Sequence, residues 1–159
     1  MHVPDDLPAP STEQRRLALD AVFGLLVMAD RLRQHWTSHA AAVGLSTAQV
    51  RVLLLMKPGG AVPMRSLAAQ LDQDASNFTV LVDRLERRGA VERRADPDDR
   101  RVRALALTPE GERLRATFWS GLIDDPGPLA PLSTSQLGDL GSLLETLGVR
   151  EDASGSNVA

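Results

Sequence analysis

Residues 76–89 read SNFTVLVDRLERRG, and this stretch decides how the chain is expected to fold. The apolar side chains that recur every three or four residues are Phe78, Leu81, Val82 and Leu85. This spacing predicts an amphipathic helix over residues 76–88 that ends at Gly89. The opposite face carries short polar side chains near its start and arginines near its end.

A second predicted helix lies immediately before this one. Pro63 is expected in its first turn, where a missing N–H costs nothing. Its core face is predicted to consist of Met64, Leu67, Ala68 and Leu71. Only the short polar segment 72–75 separates the two helices, so together they form a candidate helix-turn-helix.

The residues after Gly89 change from helical to alternating periodicity. Residues 91–94 and 101–107 alternate as strands do, with Val91, Leu105 and Leu107 predicted to face inward. Between them, residues 96–99 read Asp-Pro-Asp-Asp, which is dense turn chemistry. The pattern predicts a β-hairpin with an exposed, charged tip.

Helices are predicted on both sides of this unit. One is expected over residues 12–42, with Thr12 as its cap, and another begins at the capping box of Ser46 and Gln49. Thr108 and Pro109 open a fifth helix. A second capping box starts the last helix; its residues, and the apolar stripe that follows, are Ser133, Gln136, Leu137, Leu140, Leu144 and Leu147. The apolar stripes of the first and the last two helices are too long to be covered within one chain, which favours a dimer.

Composition limits the function classes. The chain has 159 residues, 43% of them hydrophobic and 25% charged, which is typical of one soluble globular domain. It has no cysteine, which excludes disulfides and thiolate chemistry. No apolar stretch reaches the roughly 18 residues of a membrane span and the start lacks a signal-peptide core, so a cytoplasmic location without membrane contact is expected.

Charge is distributed unevenly along the chain. The net charge is −3, but residues 76–103 hold eight basic and six acidic side chains. A local arginine cluster on an acidic chain is typical of a protein with one face that meets phosphates. The chain has no glycine-rich phosphate loop, Gly-x-Ser-x-Gly elbow or metal tetrad, so no enzyme activity and no cofactor are expected.

The order helix, helix-turn-helix, hairpin, helix is that of a winged helix-turn-helix domain. At this point the sequence resembles the multiple-antibiotic-resistance regulator (MarR) family of bacterial transcription factors. The residues that carry the resemblance lie in the segments 45–53, 67–71, 81–89, 91–93, 99–101 and 107–111.

The resemblance implies a mainly α protein with a small β-hairpin wing. Residues 1–11 and 149–159 are expected to be disordered, the tail because its side chains are small and polar. By the resemblance, residues 45–108 would form the winged helix-turn-helix, and residues 12–44 and 109–148 the dimerisation helices. It further implies a sequence-specific regulator, expected to be a repressor, that acts as a homodimer on a palindromic operator in double-stranded DNA. Many such proteins release DNA when a small aromatic or anionic effector binds.

The DNA contacts are predicted from a 100° step per residue along the recognition helix. The residues assigned to DNA are Ser76, Asn77, Thr79, Val80, Arg84, Arg87, Arg88, Arg100 and Arg101. Short polar side chains at the helix start are expected to read base edges, and the helix arginines to hold phosphates. Asp83 is expected to pair with Arg87 instead of contacting DNA. In the wing, the resemblance favours Arg101 in the minor groove, with Asp99 orienting it.

A ligand pocket and a different function remain open. His35, Trp36, His39 and Trp119 are candidate effector contacts, although aromatic side chains packed in a dimer core are the commoner arrangement. The two histidines, four residues apart, could share a metal, but no acidic third ligand is near in sequence, and no metal site is expected. The alternative function is a winged-helix module that docks an acidic protein partner without specific DNA binding.

Overall fold

The computed structural model describes residues 12–95 and 103–149. The helices are α1 (Glu13–Ala42), α2 (Thr47–Leu55), α3 (Met64–Gln70), α4 (Ala75–Arg87), α5 (Pro109–Asp124) and α6 (Thr134–Thr146). The strands are β1 (Ala61–Pro63), β2 (Val91–Ala95) and β3 (Arg103–Leu107). The predicted fold class, mainly helical with a small antiparallel sheet, is confirmed. None of the helices in the described ranges combines the length and apolarity that crossing a membrane requires.

The helix starts lie where the capping residues predicted them. The Thr12 hydroxyl accepts a hydrogen bond from the main-chain N–H of Arg15. Ser46 and Ser133 each form the full capping box with a glutamine three residues later. Thr108 accepts from the N–H of Gly111, with proline in the first turn of α5. These bonds satisfy N–H groups that have no partner inside a helix, which is why the local sequence alone identified them.

The sheet contains one strand more than the predicted hairpin. Its order is β1-β3-β2, and both pairings are antiparallel. Pro63, predicted in the first turn of α3, instead ends β1 and occupies the position just before that helix. A three-residue strand is too short to show alternation, and an edge strand tolerates a proline because it has a free side. The sequence analysis therefore missed β1.

The core lies where α2, α4 and α5 pack around the sheet. Its largest fully buried side chains include Phe78, Phe118, Leu53 and Leu105. Because β3 is the central strand, its alanines are buried as well as the predicted Leu105 and Leu107. This core holds α4 against the sheet and fixes which of its faces remains in solvent.

Two helices leave apolar surface uncovered. No residue of α6 is buried, and Leu147 in its predicted stripe is 66% exposed. In α1 only Ala40 is buried. The large apolar side chains of these two helices that remain exposed are Leu17, Leu19, Val22, Leu25, Leu26, Leu32, Leu137 and Leu143. Solvent-exposed apolar stripes of this length are typical of interaction surfaces.

Candidate nucleic-acid interface

The two faces of α4 differ as its periodicity predicted. Phe78, Val82 and Leu85 are at most 1% exposed and fix the inner face. The predicted DNA contacts on this helix that are exposed are Ser76, Asn77, Thr79, Val80, Arg84, Arg87 and Arg88. The helix therefore offers short hydrogen-bonding side chains at its start and guanidinium groups towards its end. This arrangement suits a helix whose first turns enter the major groove.

Two of these side chains have contacts that limit their freedom. The Thr79 hydroxyl donates a 2.8 Å hydrogen bond to the main-chain oxygen of Ala75, so it faces a partner as an acceptor. The Arg88 guanidinium lies over the turn between α1 and α2, with Nη2 3.3 Å from the position that a Cβ of Gly44 would take. Arg113 lowers the pKa of Glu110 by hydrogen bonding, and the positive charges of Arg113 and Arg88 lower it further. The Arg88 side chain therefore lies near Gly44, and its charge reaches Glu110 at the start of α5.

The pairing of Asp83 differs from the prediction. Its carboxylate lies 2.5 Å from a guanidinium nitrogen of Arg93 on β2, and Arg93 also pairs with Glu86. Arg87 reaches only the main-chain oxygen of Asp83, through its Nε at 3.3 Å. The expected Asp83–Arg87 ion pair was wrong because the sheet places a competing arginine against this side of α4.

Arg93 therefore has an electrostatic role that the sequence analysis missed. It pairs with both carboxylates of α4 and so links β2, the first wing strand, to that helix. Arg84 and Arg87, which form no ion pair within the described ranges, are left to face outward. A guanidinium that is only 23% exposed holds its partners with less screening than a surface pair. Both carboxylates of α4 are thus paired with β2, while Arg84 and Arg87 remain exposed.

Arg93→Ala is expected to lower the free energy of unfolding by about 1–3 kcal/mol, because it removes hydrogen bonds to two charged partners. The matched control is Arg94→Ala, since Arg94 pairs with Glu92 at the surface. That variant should change stability by less than about 1 kcal/mol. Urea denaturation of both variants measures the difference. Equal effects would show that the contacts of Arg93 with α4 contribute little.

The wing tip lies outside the described residues. The ladder between β2 and β3 reaches from the Val91–Leu107 pair to the Ala95–Arg103 pair. The predicted wing residues Asp99, Arg100 and Arg101 follow that point, so their contacts remain predictions.

The predicted effector residues do not form one cluster. Trp36 packs edge-on against Phe118, with ring centroids 5.0 Å apart. Trp119, the next residue on α5, is 53% exposed. His35 and His39 are half-buried and lie against Gly127 and Gly121, near the C-terminal end of α5. Of the four, Trp36 also lines a cavity that is bounded by α1, α2 and α3.

That cavity lies between α1, α2 and α3 and has a volume of about 470 Å³. Trp36, Leu54 and Leu71 supply apolar surface, while Arg33 and Arg51 supply positive charge. The indole Nε1 of Trp36 is buried and has no hydrogen-bond partner among the described residues. An apolar cavity with a few polar groups is what a small-molecule site needs. The sequence analysis missed Arg33 and Arg51 because they are distant in sequence from each other and from α3.

Comparison with known proteins agrees with this geometry. Residues 43–102 match the model of the MarR family. The HTH-type transcriptional repressor MdtR of Bacillus subtilis is 28% identical over 97 residues, which cover 61% of this chain and 63% of the repressor. The chain therefore matches less than two thirds of that relative's length.

Two solved structures extend the likeness to the flanking helices. A MarR-family transcriptional regulator from Rhodococcus sp. RHA1 is 28% identical with a TM-score of 0.67, covering 82% of this chain and 94% of the regulator. CouR from Rhodococcus jostii RHA1, solved bound to p-coumaroyl-CoA, is also 28% identical, with a TM-score of 0.63, covering 82% of this chain and 93% of CouR. Both MdtR and the Rhodococcus sp. RHA1 protein are transcriptional regulators.

Proposed function

We propose that this chain, whose residues 43–102 match the MarR family model and whose fold resembles that of a MarR-family regulator, is a transcriptional repressor that binds a palindromic operator as a homodimer. The observation that carries the proposal is the outward face of α4. It joins exposed short polar side chains with Arg84 and Arg87, which form no ion pair within the described ranges, while Arg93 pairs with both acids of the same helix.

The contacts divide between bases and phosphates. Ser76, Asn77 and Thr79 lie in the first turns of α4, which reach deepest into the major groove. The Asn77 amide can bond the N6 and N7 edge of adenine, and Val80 can contact a thymine methyl group. The other proposed contacts are made by arginines. Arg84, Arg87 and Arg88 would bind phosphates, and Arg100 and Arg101 belong to the wing, where Arg101 would enter the minor groove with Asp99 orienting it.

A homodimer supplies the second half of the operator contact. The apolar faces of α1 and α6 stay largely uncovered in the single chain, since Ala40 is the one buried residue of α1 and no residue of α6 is buried. Pairing through a twofold axis would cover these faces and place two copies of α4 on one side of the DNA. The twofold axis explains why the operator is expected to be a palindrome.

The cavity between α1, α2 and α3 is proposed as the effector site. Its apolar lining with Arg33 and Arg51 suits a small aromatic molecule that carries an anionic group. The CouR structure, with p-coumaroyl-CoA bound, supports this class of effector for a similar fold. Because the cavity touches both α1 and α3, a ligand there could change how the helix-turn-helix sits on the dimerisation helices.

Two substitutions on α4 test the proposal in a gel-shift titration against the promoter beside the protein's own gene. Asn77→Ala should cost about 1–3 kcal/mol at the operator and little on random DNA, since it removes a base contact. Arg87→Ala should weaken binding to both DNAs alike and reduce the slope of log affinity against log salt by about one.

The outcome also separates the alternative function. Equal affinity of the wild-type protein for any DNA, or no binding at all, would contradict the repressor and favour a docking module for an acidic partner. If both variants leave the ratio of specific to random binding unchanged, the assigned orientation of α4 is wrong.

A further inference from the structure

Two histidines and an aspartate form a cluster beside the C-terminal end of α5. His35 and His39 lie one turn apart on α1, and Asp125 follows the last residue of α5. One ring nitrogen of each histidine and a carboxylate oxygen of Asp125 all lie within 4.8 Å of one another. The acidic ligand that is missing near the histidines in sequence is thus supplied by the tertiary fold.

Each of the three residues keeps an atom that is able to bind a metal ion. His35 Nε2 lies 2.9 Å from the main-chain oxygen of Asp125 and donates to it. The neutral ring that makes this bond keeps an unprotonated Nδ1. His39 Nε2 is buried, makes no hydrogen bond within the described residues, and lies 3.6 Å from Oδ2 of Asp125. Oδ1 of Asp125 accepts a 2.9 Å bond from the N–H of Gly127, which orients the carboxylate.

Glycines hold the two rings in place from the other side. A Cβ at Gly121 would lie 2.9 Å from Nδ1 of His39. A Cβ at Gly127, which has a φ of +57°, would lie 2.6 Å from the ring of His35. The imidazoles therefore pack directly against main chain, and a longer side chain at either position would displace them. Such confinement preorganises ligands, as does a main-chain hydrogen bond to the far nitrogen of a ligating histidine.

We propose that His35, His39 and Asp125 bind a divalent d-block cation, of which Zn²⁺ is the best match. Two imidazoles and one carboxylate are the donor set that Zn²⁺ accepts, with solvent completing the coordination. The cation ties α1 to the segment that follows α5, so it stabilises the junction of the two helices. This inference stands on the cluster alone and does not depend on the DNA-binding function.

The test uses the untagged full-length protein, treated with chelator, with Zn²⁺ and Co²⁺ as the probes. Calorimetric titration should show one Zn²⁺ per chain, and Zn²⁺ at about a hundredfold excess over its Kd should raise Tm by about 5 °C. Co²⁺ bound to the wild-type protein should give the intense visible absorption of a low-coordinate site with nitrogen and oxygen ligands. This measurement requires no variant.

Matched variants assign the ligands. Asp125→Asn keeps an oxygen that can accept the Gly127 bond but loses the charge, so Zn²⁺ affinity should fall by at least about 100-fold. His39→Ala should lower the Zn²⁺ affinity by a similar factor. Asp124→Asn, which changes the preceding exposed carboxylate, should bind Zn²⁺ like the wild type. Equal affinity in Asp125→Asn and Asp124→Asn, a faint octahedral Co²⁺ spectrum, or only weak non-stoichiometric binding would overturn the proposal.

Discussion

Gly111→Ala is expected to lower the free energy of unfolding by about 3 kcal/mol or more, because the added methyl group has no room. Gly111 is buried in the first turn of α5, and an added Cβ would lie 1.9 Å from the main-chain oxygen of Ala90. That distance is far inside van der Waals contact, and the obstacle is main chain rather than a flexible side chain.

The neighbouring main chain cannot move aside without further loss. The Ala90 oxygen accepts a 3.2 Å hydrogen bond from the N–H of Thr108, and the Ala90 N–H donates to the oxygen of Leu85 at 2.9 Å. Moving Ala90 would therefore strain the end of α4, the start of β2 and the cap of α5 together. Urea denaturation followed by circular dichroism measures the loss.

The matched control adds the same methyl group where there is room. Gly24 lies within α1, and nothing is within 4 Å of the position its Cβ would take. Gly24→Ala should leave stability unchanged or raise it by up to about 1 kcal/mol, since alanine favours a helix over glycine. A Gly111 variant as stable as the Gly24 variant would show that α5 does not pack against Ala90 this closely.

Leu143→Asp combined with Leu147→Asp is expected to convert the proposed dimer into monomers at micromolar concentration. These leucines of the α6 region are 62% and 66% exposed in the single chain, so their substitution should not disturb the lobe's own core. In a dimer, two carboxylates per chain would have to lose water at an apolar contact without a partner, which is strongly unfavourable.

Loss of the dimer should also weaken operator binding by at least about 100-fold, because one lobe would contact only half of the proposed palindrome. Analytical ultracentrifugation gives the mass, and a gel shift gives the affinity. Asp139→Ala, a change at an exposed residue of the same helix that buries no new charge, is the control and should remain dimeric. A double variant with the mass of the wild-type dimer would show that α6 lies outside the interface.

Local pattern was sufficient for most of the helices. The positions of Ser46, Ser133 and Thr108 predicted where three helices begin, because a capping bond joins residues only three apart. The spacing of Phe78, Val82 and Leu85 predicted which face of α4 is buried. These features depend on contacts within one or two turns, so the sequence contains them directly.

The tertiary structure decided the contacts between distant residues. Arg93, not Arg87, pairs with Asp83, because the sheet brings β2 against α4. Asp125 lies beside His35 although ninety residues separate them. Likewise, Pro63 joins an edge strand only because β3 offers it a partner.

The sequence by itself determined the helix-turn-helix, the capping and the polar outer face of α4, since each follows from periodicity and local hydrogen bonding. Which charges are neutralised, where a cavity opens and which side chains could share a cation depend on how the elements pack. Packing is set by the sum of many weak contacts between segments far apart in the chain, so it cannot be predicted from a local sequence pattern.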